Sequence, residues 1–234
     1  MIELYTTGAP NGRKITIFCE ETDLPYRVHV VDLYRQENRH PEFLAINPNG
    51  RIPAIVDPDG PGGPLTLWES GAILQYLADK TGRFLPEGAA RWEVLKWLFF
   101  QISHAPYWGL VHMFRYLAPE PDRFAIDRYS KEARRHYRLL DARFAEVRYL
   151  GGDDYSIADM ALYPWIEYAE WHSQQLDDHP NLSRWFDEVG ARPAVQKGRA
   201  NPWPSDRWGP TEEGRRAFEI IHARMKDPAF APDM

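Results

Sequence analysis

The stretch Asn47-Pro48-Asn49-Gly50-Arg51-Ile52-Pro53-Ala54-Ile55-Val56, with Trp68-Glu69-Ser70-Gly71-Ala72-Ile73 following it, decides how this chain folds. An Ile-Pro pair leading into a β-branched apolar run puts a proline at the first position of a strand, where its missing N–H costs no ladder bond. A cis bond at that point would turn the backbone N–H and C=O of Ile52 toward a ligand. Glu69-Ser70-Gly71 then opens an amphipathic helix. Its hydroxyl and backbone donors lie at the positive end of the helix dipole, where a carboxylate is stabilised. Strand-like backbone pairing beside an anion hole suits a small acidic peptide.

Upstream of this stretch, Ile2 to Tyr5 reads as a strand and Thr6 to Pro10 as a turn-rich loop. From Asn11 onward, Ile15, Phe18, Cys19 and Thr22 fall at helical spacing, and Tyr26 to Val31 is a second β-rich run. The opening is therefore β-α-β, with parallel pairing through the helix. Pro41 to Leu44 predicts a short helix that ends before Asn47-Pro48, because a residue preceding proline is pushed out of the helical region. Ile52 to Val56 and Leu65 to Leu67 flank Asp57-Pro58-Asp59-Gly60-Pro61-Gly62-Gly63-Pro64, a turn-forming segment joining a hairpin. Glu69 to Asp79 is a helix with Ile73, Leu74 and Leu77 on one face, ending near Gly82.

Beyond Phe84-Leu85-Pro86 the β-branched runs vanish and long helical patterns begin, which places a domain boundary between residues 83 and 90. Residues 1–83 form an α/β domain and residues 90–234 an all-helical one with an irregular tail. Ala89 to Leu117 is a helix kinked at Pro106, Pro119-Glu120-Pro121 breaks it, and Arg123 to Val147 is a second long helix. Ser156 reads as an N-cap with Asp159 three residues on, and Leu182 to Val189 as a short helix. In the tail, Glu212 to Lys226 predicts a helix, and Trp203 and Trp208 are either a lid over a cleft or a surface strap.

Composition narrows the function. With 234 residues, 44% hydrophobic and 26% charged, the chain is long enough and ordinary enough to be a soluble globular protein. Its 28 Lys+Arg against 34 Asp+Glu leave a net charge of -6, which argues against a nucleic-acid partner. No run approaches the ~18 apolar residues of a membrane span, and Met1 leads into no basic or apolar leader, so a cytoplasmic location with no membrane partner is expected. The lone Cys19 rules out an intrachain disulfide and fits a reducing compartment. The eight histidines show no ligand spacing, so no metal is expected.

The β-α-β and β-β-α half, Ile52-Pro53 at its third strand, Glu69-Ser70-Gly71 at its last helix and the helical second half resemble the glutathione S-transferase superfamily. Pro10-Asn11-Gly12-Arg13-Lys14-Ile15, Arg39-His40-Pro41-Glu42-Phe43 and Asp127-Arg128-Tyr129 are most similar to its bacterial Nu-class, Ure2p-like members, which use glutathione to reduce disulfide bonds. The resemblance implies a thioredoxin-like first domain (β-α-β-β-β-α with a cis-proline), an all-α second domain and a homodimer. Glutathione, reduced or oxidised, is the implied co-substrate, with a small-molecule disulfide or electrophile as partner. The implied activity is disulfide-bond reduction by thiol-disulfide exchange, with weak transferase or peroxidase activity beside it. Conjugation of an electrophile and a non-catalytic regulatory role are the alternatives.

Residue by residue, the resemblance assigns Asn11 to the glutathione sulfur, with Thr7 as the nearest hydroxyl, since Ala9 stands where the family carries threonine. Ile52 pairs with the cysteinyl backbone, and Pro53 is the cis-proline that permits it. Glu69 and Ser70 hold the γ-glutamyl end, Asn38 and Arg51 the glycyl end, and Arg128 reaches the neighbouring subunit's site. Tyr107 and Trp108 line a second-substrate pocket. Taken without the resemblance, Asn11 is equally a helix cap, Arg51 and Arg128 are surface charges, and Cys19 and Tyr5 are core residues. With a single cysteine no Cys-x-x-Cys relay exists, so the redox thiols must come from glutathione.

Overall fold

A computed structural model describes residues 1–33, 35–118 and 120–202. Trp203, Trp208, the 212–226 helix and Pro119 lie outside the described residues. β1 (Ile2–Thr6) buries Ile2, Leu4 and Thr6 in strict alternation, which is the signature of a strand with one covered face. It pairs parallel with β2 (Tyr26–Val30) and antiparallel with β3 (Ala54–Asp57), which in turn pairs antiparallel with β4 (Leu65–Trp68). The sheet order is β2-β1-β3-β4. β1 and β2 are joined through α1 (Pro10–Thr22), which stops at Asp23 in a left-handed conformation whose N–H bonds to Cys19 O. α2 (Pro41–Leu44) precedes the Asn47 loop, and α3 (Ser70–Thr81) ends at Gly82, φ 65°.

The helical half begins with α4 (Gly88–His112), which passes through Pro106 and ends in a π-helical turn over Met113–Leu117. α5 (Arg123–Glu146) is capped by Asp122, whose carboxylate accepts from Ala125 N at 3.0 Å. α6 (Ile157–Ile166), α7 (Pro180–Gly190) and α8 (Pro193–Arg199) complete it. The strand expected from Ile52 begins at Ala54, because the Ile52-Pro53 segment precedes the ladder instead of joining it. α8 has no counterpart among the predicted elements. It is held by a close approach: a Cβ on Gly198 would come within 2.6 Å of the Ile17 backbone, and Gly198 O accepts from Thr16 Oγ1 at 2.7 Å.

α1 is the element on which the halves converge. It packs against α3 of the first half and against α6 and α8 of the second, with Gly12 close against Thr6 of β1. Every residue from Gly12 to Cys19 is consequently buried, including Arg13, Lys14 and Thr16, which an amphipathic helix would leave in water. Gly12 is required where α1 meets β1, since a Cβ there would lie 2.0 Å from Thr6 Oγ1.

Candidate functional site

The sheet and α1 bring three chain segments together: Ala54 pairs with Tyr5 and with Trp68, and Lys14 of α1 bonds to Ser70. The first is the loop between α2 and β3. Buried Asn47 organises it by donating from Nδ2 to Arg51 O at 2.5 Å and accepting at Oδ1 from Asn49 N at 3.0 Å. Gly50 takes φ 63°, and its carbonyl accepts from Asn38 Nδ2 at 2.8 Å. The Ile52-Pro53 bond is cis. The ladder pairs Tyr5 with Ala54, so the Ile52 backbone makes no strand pairing and, among the described residues, no backbone hydrogen bond. It is a free strand edge of one residue, the length of backbone that pairs with a single peptide unit.

The second segment is the start of α3. Glu69 adopts φ 74°, ψ 113°, a conformation costly for a residue with a side chain, and its exposed carboxylate stands at the N-cap. Ser70 is buried, and its Oγ accepts from Lys14 Nζ at 3.2 Å. Lys14 also donates to Gln101 Oε1 of α4 at 2.7 Å. Burial pulls the Lys14 ammonium from its ordinary value down to about 7, against the field of Glu69.

The third segment is the β1–α1 loop. Ala9 occupies the N-cap, so no side chain caps the helix. Thr7 is buried there, its carbonyl accepting from Thr6 Oγ1 at 3.2 Å. Asn11 sits in the first turn, one place inside Pro10, and so is not the cap. Its Oδ1 accepts from Trp165 Nε1 of α6 at 3.0 Å. An indole nitrogen can only donate, so the contacting atom must be the amide oxygen, and the Asn11 NH₂ is left as the donor.

Four predicted residues stand apart from these segments or in another role. Arg51 is exposed. Asn38 spends its NH₂ on Gly50, leaving its Oδ1 for other partners. Arg128 lies on the exposed side of α5, paired with Glu132 at 3.5 Å. Trp108 corrects the expected pocket lining: it is 0% exposed, donates to His136 Nδ1 at 3.2 Å and packs edge-on against Trp165. Packed from α4 against His136 and Tyr137 of α5 and Trp165 of α6 it is core, whereas Tyr107 keeps partial exposure. Lys14 and Gln101 are neighbours of the site to which sequence reading assigned no role, and Trp165 read only as one of several aromatics that could wall a second-substrate pocket. Lys14 lay inside the quoted Pro10–Ile15 motif, but no local spacing indicates a partner more than fifty residues away.

Cys19 is 1% exposed and its thiol is pushed up to about 12 by burial, so it is protonated and inert at neutral pH. Tyr5 stacks on His29, with centroids 4.5 Å apart.

Comparison with known proteins agrees with this geometry. Residues 9–80 match the glutathione S-transferase N-terminal domain and residues 95–193 its C-terminal domain. The disulfide-bond oxidoreductase YfcG of Escherichia coli (strain K12) is 46% identical over 201 residues, spanning 83% of this chain and 93% of that protein. YghU of the same organism, also a disulfide-bond oxidoreductase, is 37% identical, spanning 85% of this chain and 74% of its own length. A glutathione transferase from Pseudomonas putida, solved with one glutathione disulfide per subunit, superposes with a TM-score of 0.82 at 38% identity, covering 86% of this chain and 91% of that one. One from Burkholderia graminis, with two glutathione molecules per subunit, gives 0.81 at 42%, covering 86% and 88%. The site geometry, both domain matches and these relatives together show that the chain belongs to the glutathione S-transferase family, most like its disulfide-bond oxidoreductases.

Proposed function

We propose that this protein is a glutathione-dependent disulfide-bond reductase. The observation that carries it is Asn11: a carboxamide at an uncapped helix N-terminus whose oxygen is taken by Trp165 and whose NH₂ is left to donate, in a chain whose sole cysteine is buried and protonated. Such a site stabilises a thiolate and supplies none of its own. Glutathione provides the chemistry. One thiolate attacks a sulfur of the substrate disulfide, the S–S bond breaks, and a second glutathione releases the other half, giving two substrate thiols and glutathione disulfide. The two glutathiones, or one glutathione disulfide, bound to the Burkholderia and Pseudomonas relatives support a site large enough for both.

The chain's residues bind and orient. The free backbone of Ile52 beside cis-Pro53 pairs with the cysteinyl unit. Ser70 and the α3 N-terminus take the α-carboxylate, and Glu69 takes the α-ammonium. Asn11 donates to the sulfur and, with Thr7 on the same loop, keeps it anionic. Arg51 and the Asn38 Oδ1 face the glycyl end, and Tyr107 the second substrate.

We also read the molecule as two domains, residues 1–83 and 90–234, and as a cytoplasmic homodimer. Among the described residues no helix is long and apolar enough to cross a membrane. Trp92 and Phe99, seven residues apart on one face of α4, are 70% and 59% exposed, an apolar surface that a second copy would cover. Arg128, on the adjacent α5, is free to swing from Glu132 toward a neighbouring site.

The test is an assay with glutathione against a small mixed disulfide and against a chloro-nitroaromatic electrophile. Disulfide reduction dominates, and Asn11→Ala lowers it about 100- to 1,000-fold, the scale of losing one donor to a reacting anion. Tight glutathione binding with neither activity refutes the proposal, and dominant conjugation makes the protein a transferase instead.

A further inference from the structure

Lys14 is the most unusual charge in the molecule. It is 1% exposed and, among the described residues, forms no ion pair. Its two partners, Ser70 Oγ and Gln101 Oε1, are both neutral. Gln101 is itself fully buried, and its Nε2 has no partner, so the amide is committed to the lysine at the cost of an unpaired N–H group. A buried ammonium without a carboxylate is expensive, and such groups persist where an opposite charge arrives from outside.

The hydroxyl geometry says from where. Ser70 Oγ accepts from Lys14, so its single O–H is left to donate on the other side, at the N-terminus of α3. We infer that Lys14 is the internal countercharge for the α-carboxylate of a bound γ-glutamyl group, acting through the Ser70 hydroxyl as a positioning residue. This rests on reading the site as a glutathione site. The chain Nζ–H to Oγ and O–H to carboxylate carries charge complementarity from the core to a ligand that Lys14 never touches. It also explains why polar Lys14 and Gln101 occupy core positions where aliphatic residues would pack at no electrostatic cost.

The arrangement has a pH signature. Of the charged groups on the elements packed against α1, one acts on Lys14. Glu69 on α3 is the one whose field raises Lys14, and α4 contributes the neutral Gln101. The others are engaged elsewhere: on α3 Asp79 pairs with Arg91 and Lys80 with Asp57, on α6 Asp159 accepts from Leu150 N and Trp185 Nε1, and near α8 Lys197 pairs with Glu20, Arg192 with Glu21, and Arg199, like Arg13 of α1, with Glu167. Lys14, poised at about 7 in the free protein, is raised when a carboxylate seats against Ser70. Binding therefore takes up a proton. Affinity is greatest where Lys14 is already charged and declines as pH rises past that value.

Titration calorimetry with S-methylglutathione, which has no thiol to ionise, tests this at pH 7.0 in buffers of different ionisation heat. The wild type takes up roughly half a proton per site, and binding weakens about tenfold between pH 6 and pH 8. Lys14→Met, with unchanged circular dichroism, loses the uptake and the pH slope and binds about tenfold more weakly at pH 6. Gln101→Glu, which fixes Lys14 as charged by an internal carboxylate, also loses the uptake, and it decides the matter should Lys14→Met fail to fold. Equal heats in all buffers for the wild type, an unchanged pH slope in Lys14→Met, or uptake retained in Gln101→Glu overturns the inference while leaving the glutathione site standing. Failure of the wild type to bind S-methylglutathione overturns the reading of the site itself.

Discussion

An indole N–H donates and never accepts, and that single constraint makes Trp165 the residue that aims Asn11. Trp165→Phe keeps the ring but removes the donor, so the amide of Asn11 is free to turn its oxygen toward the sulfur, where it repels a thiolate. Steady-state kinetics with a mixed disulfide should show kcat reduced about tenfold with KM for glutathione nearly unchanged. An equal loss in KM would mean that the ring, not the hydrogen bond, matters. At this scale the sequence was informative about residue type and silent about partners. Asn11, Ser70 and Pro53 stand in local motifs whose backbone geometry is encoded within a few positions. Trp165 lies 154 residues from Asn11 and Gln101 lies 87 from Lys14, and no periodicity carries that information.

Elements reveal how local signals hold. The turn before α6 is a capping box: Ser156 Oγ accepts from Ala158 N, and Asp159 Oδ2 accepts from Ser156 N at 3.0 Å. Asp159 does more than cap, because Oδ1 also accepts from Leu150 N and Trp185 Nε1, both at 2.8 Å. One fully buried carboxylate thus ties α6, α7 and the 150 loop together, with burial raising its pKa to about 6. Asp159→Ala strands two backbone N–H groups and an indole N–H, and should cost about 3 kcal/mol in urea unfolding. A loss under ~1 kcal/mol would show that the cap alone counts. The cap was legible from Ser156 and Asp159, three residues apart. The ties to Leu150 and Trp185 were not, since they depend on how α7 returns across α6.

For the whole molecule, the burial of polar rings sets the acid limit of stability. His112, His136 and His172 are all depressed by burial, to about 4, 4 and 3. His136 accepts at Nδ1 from Trp108 Nε1, and burial together with the fields of His104 and Arg135 keeps it neutral against the opposing pull of Glu132. Each group keeps its stabilising neutral form in the fold while the unfolded chain takes up a proton below about pH 6.5. Stability is therefore full above that pH and falls as pH drops toward 4, by up to ~1.4 kcal/mol per pH unit for each histidine. Urea midpoints measured from pH 7 to pH 4.5 should decline steeply, and a flat profile would contradict neutral burial of these rings. The exposed α4 face belongs to this scale too: a Trp92→Glu, Phe99→Glu double substitution should turn the proposed dimer into a monomer by light scattering, with unchanged circular dichroism, and a wild type that is already monomeric contradicts the proposal. The sequence by itself determined the order of the elements from β1 to α7, the proline-led loop before β3 and the family resemblance, because turn chemistry, capping and hydrophobic period act over a few residues. Only the tertiary structure decided that α1 is enclosed on both sides, so that Lys14 and Arg13 are buried. It alone joined Trp165 to Asn11 and Gln101 to Lys14, and moved Trp108 from pocket wall to core. Burial and pairing across distant segments follow from the meeting of the two halves at α1. The turn chemistry of the loop at Asn47 to Val56 is written in its own residues, whereas the partners of Asn11 and Lys14, Trp165 and Gln101, come from helices far along the chain.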